Sequence, residues 1–82
     1  MTIEFDQTKI IEGYAVEVWP AGENGIEHAY ISKDEYTASW ESLEENCTLD
    51  DRDFNELPVS QDDIDAIEDW LAYVGYFEAC KA

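Results

Sequence analysis

The sequence predicts an α+β domain, a small antiparallel sheet of two to three strands with two helices packed on one face. Three observations lead there. β-branched and aromatic residues crowd Ile10 to Trp19 and return from Ile26 to Ile31, with the turn formers Pro20-Ala21-Gly22-Glu23-Asn24-Gly25 between them. Apolar residues then recur at helical spacing, first at Tyr36, Trp40, Leu43 and Cys47, later at Ile64, Ile67, Leu71 and Val74. A chain of 82 residues has room for one hydrophobic core, so 1–82 is read as a single domain.

Taken in order, Ile3 and Phe5 alternate with Glu4 and Asp6, a short strand signal. Ile10 to Trp19 follows as one long strand, with Tyr14, Val16 and Val18 on one side and Ala15, Glu17 and Trp19 on the other. The segment from Ile26 to Ile31 pairs with it as an antiparallel hairpin. Ser32 with Glu35 has the spacing of a capping box, which predicts a first helix over 33–46. Residues 48–59 hold no period and contain Pro58, so they read as a loop. Ser60 with Asp63 opens a second helix over 61–79, whose apolar stripe is widened by Trp70 and Phe77. Gly75 inside that span marks a kink or a close contact with a neighbour.

Charge sets the chain apart. It has 4 Lys and Arg against 21 Asp and Glu, a formal net charge of −17, and this charge repels itself in the compact state. A far smaller excess would keep the protein soluble, so the acidity has another cause: high salt, bound cations or a positive partner. Nucleic acid and anionic membranes would be repelled, so neither is a direct ligand. With 45% hydrophobic residues, three Trp, five Tyr and three Phe, the chain is too apolar to be a disordered acidic tail. No apolar run approaches the roughly 20 residues that cross a bilayer, and the N-terminus lacks a signal peptide's basic start. The expectation is a cytoplasmic protein whose Cys47 and Cys80 are reduced thiols.

Catalytic equipment is sparse, and the chain is read as no enzyme. His28 is the one histidine, placed on a strand with no nucleophile at hand. Lys9, Lys33, Arg52 and Lys81 are scattered singly, and no glycine-rich phosphate cradle occurs. Asp51-x-Asp53-x-Asn55, with Asp62 eleven residues after Asp51, matches part of a calcium loop. The match fails at its sixth position, where the turn glycine is replaced by Glu56, and Asp62 stands where a bidentate Glu belongs. No metal and no cofactor are expected.

Acids run nearly unbroken through the second half. Glu41, Glu44 and Glu45 lie on the first predicted helix, Asp50, Asp51, Asp53 and Glu56 in the loop, and Asp62, Asp65 and Asp69 on the second helix opposite its stripe. Helical steps of three and four residues advance about 4.5 to 6 Å, close to phosphate separations along a nucleic-acid strand. Asp62 and its neighbours also complement the helix dipole, a bland role that does not cover Glu68 and Asp69. Tyr73 and Tyr76, on the flank of the second helix, are the aromatic candidates for a partner surface or for completing the core.

In size, charge, acid-studded helices and lack of catalytic residues the chain resembles the small acidic phage-encoded inhibitors that mimic DNA, the anti-CRISPR and anti-restriction class. The resemblance is one of character and rests on no residue-level motif. It implies a basic nucleic-acid-binding partner, a Cas effector or a restriction enzyme in a bacterial host cytoplasm, blocked by protein–protein interaction as host defence evasion. The inhibitor itself would be a monomer or homodimer. Two alternatives stand beside it: an antitoxin or immunity protein plugging a basic nuclease site, and a halophile-type domain whose acids only hold water. Acids clustered on one face favour inhibition, and acids spread evenly favour the halophile.

Overall fold

The computed structural model describes residues 7–19 and 28–77. The strand signal at Ile3 and Phe5, the turn at 20–25 and Cys80 lie outside them. Six strands and two helices follow in order: β1 (Gln7–Ile11), β2 (Tyr14–Trp19), β3 (His28–Lys33), β4 (Tyr36–Ser39), α1 (Trp40–Asn46), β5 (Thr48–Asp50), β6 (Glu56–Pro58) and α2 (Gln61–Tyr73). The strands form one antiparallel sheet whose spatial order is the chain order. The α+β class stands, and the expected two to three strands are corrected to six among the described residues.

The extra strands come from turns that the sequence pattern hides. The segment read as one strand from Ile10 to Trp19 reverses at Glu12 and Gly13, with φ of 52° and 86°. Two left-handed residues in succession make the tight turn that matches strand twist, and Ile11 then faces Tyr14 across the ladder. A second two-residue turn at Asp34 and Glu35, with Asp34 at φ 55°, pairs Lys33 with Tyr36. The capping box expected at Ser32 and Glu35 therefore does not form, and the first half of the predicted helix is β4. The working N-cap is Ser39, whose hydroxyl accepts from the Ser42 amide at 3.3 Å. Helix α1 ends after seven residues at Cys47, left-handed at φ 59°, whose amide donates to Leu43 O at 2.8 Å.

Residues 48–59 are likewise not a loop. β5 and β6 pair through Leu49 and Leu57, and the Val59 amide donates to Cys47 O at 2.9 Å. Pro58, which has no amide hydrogen to give, sits at the end of an edge strand. Ser60 caps α2 as expected, its hydroxyl accepting from the Asp63 amide at 3.2 Å. The helix stops at Tyr73 rather than near 79. Gly75, at φ 84°, takes the left-handed position that ends it, and its amide donates to Ala72 O at 3.1 Å.

Strand alternation sorts the sheet into two faces. Tyr14, Val16 and Val18 of β2, Ala29 and Ile31 of β3 and Leu49 of β5 are buried with Trp40 and Leu43 of α1 and Ile64, Ile67 and Leu71 of α2. Both helices thus cover one face, as expected. On the other face, register places Thr8, Ile10, Ala15, Glu17, Trp19, Tyr30, Ser32, Thr37 and Ser39 along β1 to β4, with Asp50 and Glu56 continuing onto β5 and β6. The Trp19 and Tyr30 rings meet there with centroids 5.1 Å apart.

Candidate functional site

The acids divide into three groups, each held by a different element. On α2 the buried residues Ile64, Ile67 and Leu71 fix which side faces the core, so Asp62, Asp65 and Asp69 are exposed together on the far side. Asp65 accepts a hydrogen bond from the Gln61 side-chain amide at 2.9 Å, which restrains one of the three carboxylates. Tyr73, 84% exposed, extends this surface, and with Asp69, Trp70, Lys9 and Ile11 it lines an open groove beside β1.

On α1, Glu41, Glu44 and Glu45 border a depression of about 520 Å³ floored by Trp40, Tyr76 and Phe77. Tyr76 is only 2% exposed, and its hydroxyl donates to Glu41 Oε1 at 3.3 Å. Its ring meets Phe77 edge-on at 5.4 Å. The structure therefore corrects the pairing of Tyr73 with Tyr76 as surface anchors. Gly75 turns the chain inward, so Tyr76 finishes the core and positions Glu41.

The third group is the β5–β6 tip. Asp51 organises it: Oδ1 accepts from the amides of Asp53 and Asn55, both at 2.9 Å, and Oδ2 accepts from the Asn55 side chain at 2.9 Å. These bonds, led by the one from the Asn55 side chain, hold the Asp51 carboxyl below its ordinary pKa. The backbone closes the tip with Asp51 N to Asn55 O and Phe54 N to Asp51 O, each 3.1 Å. The partial calcium-loop pattern is thus turn chemistry, since the Asp51 oxygens are committed to protein donors and β6 runs through the middle of the span. Among the described residues no cluster of His, Cys, Asp or Glu is arranged to hold a metal.

Asp50, Asp51, Arg52 and Asp53 line an open depression of about 600 Å³ together with Glu35 and Thr37. The sheet order brings the β3–β4 turn beside the tip, which is how Glu35 joins a group that its expected role as a helix cap concealed. Glu56 is exposed and stands opposite Asp50 in the ladder. Phe54 crowns the tip, 86% exposed and left-handed at φ 65°. That conformation costs a residue with a Cβ about 1 to 2 kcal/mol. The sequence did offer a signal for it, an apolar residue in an acidic turn with no periodic partner.

One acid of α2 points inward. Asp63 lies beside the buried Tyr14, and burial followed by the repulsion of that carboxylate pushes the Tyr14 phenol up from its ordinary value. The Lys33 ammonium sits 4.9 Å from the centre of the same ring. A raised folded-state pKa stabilises the fold below the unfolded value and loses that contribution as pH rises through the folded one. The melting temperature should therefore fall as pH climbs beyond about 10, and that of Tyr14→Phe should fall less steeply over the same range above about pH 10. Parallel curves for the two proteins would show that Tyr14 ionises without cost to the fold.

No family model matches the chain, and no curated protein or solved structure matches it. Among the described residues no helix is long and apolar enough to cross a membrane.

Proposed function

We propose that this protein is a non-enzymatic inhibitor that occupies the basic nucleic-acid-binding surface of a bacterial defence complex, with carboxylates standing where phosphates would lie. The observation that carries this reading is the uneven placement of the acids. Twelve of the 21 acidic residues fall between Glu41 and Asp69, where Arg52 is the one basic residue. They sit on α1, on the β5–β6 tip and on the outer side of α2, whereas on the helix-free side of the sheet Glu17 is the one acid of β1 to β4 among the described side chains and acids return only at Asp50 and Glu56 on β5 and β6. A halophile-type coat would have no reason to thin out over β1 to β4.

Carboxylates on hydrogen-bonded elements offer a lysine- and arginine-lined channel fixed charges, and opposed fields steer rapid encounter. The setting implied is the cytoplasm of the bacterium whose effector is blocked. The test is a competition: bacterial proteins that elute from heparin are incubated with the inhibitor and labelled duplex DNA. The expected result is a complex that excludes DNA and weakens as salt rises. A complex that binds DNA undiminished would remove mimicry as the mechanism.

A further inference from the structure

The ring of Phe54 gives the fold almost nothing. It is 86% exposed and therefore packs on little, and it sits at φ 65°, where a bulky side chain is an outlier. The other left-handed residues differ. Glu12 and Asp34 meet the positive φ of their hairpin turns with polar side chains and Cys47, at the end of α1, packs partly against the core, whereas Phe54 fills the left-handed position of the β5–β6 hairpin with an exposed apolar ring. A single exposed apolar residue is ordinary on a protein surface. A single exposed apolar residue that also strains its backbone, on a tip stiffened by three hydrogen bonds to Asp51, has its use outside the fold.

We propose that Phe54 is an apolar anchor, and that the β5–β6 tip docks it into an apolar notch flanked by lysines or arginines on a nucleic-acid-binding protein. Charge complementarity identifies this occupant. At the tip that carries Phe54, Asp50, Asp51, Asp53 and, from the neighbouring turn, Glu35 line one depression with Arg52, and Glu56 stands opposite Asp50, so five acids against one base call for a cationic rim on the partner. Buried aromatic anchors within a polar rim dominate binding energy at protein interfaces, and exposed ion pairs alone give little. The tip presents both, with the backbone already fixed in the docking conformation. The inference rests on the inhibitor reading and adds the contact that gives it affinity.

Two substitutions separate the ring from the fold. Phe54→Asn removes the ring and leaves a residue that tolerates positive φ, while Phe54→Trp keeps an aromatic anchor. The probe is the set of heparin-eluted bacterial proteins, from which the DNA-displaceable binder is purified and titrated. Phe54→Asn should melt at the wild-type temperature or above and bind roughly thirtyfold more weakly, and Phe54→Trp should bind within a few-fold of wild type. A lowered melting temperature for Phe54→Asn would return the ring to the fold and overturn the proposal. Unchanged affinity for a DNA-displaceable binder would overturn the anchor while leaving the inhibitor reading in place. Binding that depends on Phe54 but is not displaced by DNA, or no binding by the wild type at all, would overturn both.

Discussion

Replacing Asp62, Asp65 and Asp69 together by Asn is expected to weaken binding to a DNA-displaceable effector by about 1 to 3 kcal/mol, roughly 5- to 150-fold. The three carboxylates share the outward side of α2, opposite Ile64, Ile67 and Leu71, so their removal changes the charge of one surface without touching the core. Each wet ion pair contributes at most about 1 kcal/mol, and more only where a partner lysine is left buried and unpaired. The fold should lose little. Asp62 supports the start of the helix and Asp65 holds Gln61, effects of a few tenths of a kcal/mol each. The control neutralises Glu4, Glu12 and Glu17 to Gln, an equal change in net charge outside the three acid groups. Steering by the overall field would slow association alike in both variants, whereas contact at α2 would raise the dissociation rate in the first alone. Equal effects on dissociation would place the interface elsewhere.

Leu43→Ala is expected to cost about 2 to 5 kcal/mol of folding stability, the range for emptying a fully enclosed leucine site. Leu43 is 0% exposed, and α1 has seven residues, too few to be helical without its tertiary contacts. The loss would be a large part of a total that, at about 0.05 to 0.15 kcal/mol per residue, comes to roughly 4 to 12 kcal/mol. Urea unfolding by circular dichroism measures it, as a lower midpoint at unchanged slope. Because Glu41, Glu44 and Glu45 are carried by the same helix, the variant should also lose the acid border above Trp40 and Tyr76. A cost below about 1 kcal/mol would show that α1 is not held by its buried face.

What could be read in the sequence was whatever depends on side-chain period. The β2–β3 hairpin follows from Val16 and Val18 alternating with Glu17, and α2 from the stripe through Leu71 with Ser60 at its head. What stayed hidden depends on backbone conformation at a few positions. Glu12-Gly13 and Asp34-Glu35 each reverse the chain in two residues, and neither is the Asn-Gly or Asp-Gly pair that announces such a turn. Tyr36 happens to face the core from a strand, so its spacing to Trp40 and Leu43 mimicked a longer helix. In the candidate site, the exposed acids of α2 followed from helical geometry. The inward turn of Tyr76 and the meeting of Glu35 with the tip required the glycine stop and the sheet order, which no local pattern carries.

Each strand of the sheet pairs with the one before it in the chain, and two of the connections are only two residues long. Little loop entropy is spent in closing such pairs, so the meander can assemble progressively from adjacent hairpins, and its low contact order favours fast folding for a β-rich protein. The long closure is the seating of α2 near β1, which brings Asp69 and Trp70 beside Lys9 and Ile11. That contact joins the two ends of the described chain, so loop entropy predicts that it forms after the strands it covers. Substitutions in the α2 stripe are therefore expected to act mainly on the rate of unfolding, and those in the β2–β3 hairpin on the rate of folding, a division that stopped-flow refolding and unfolding of the two sets would check.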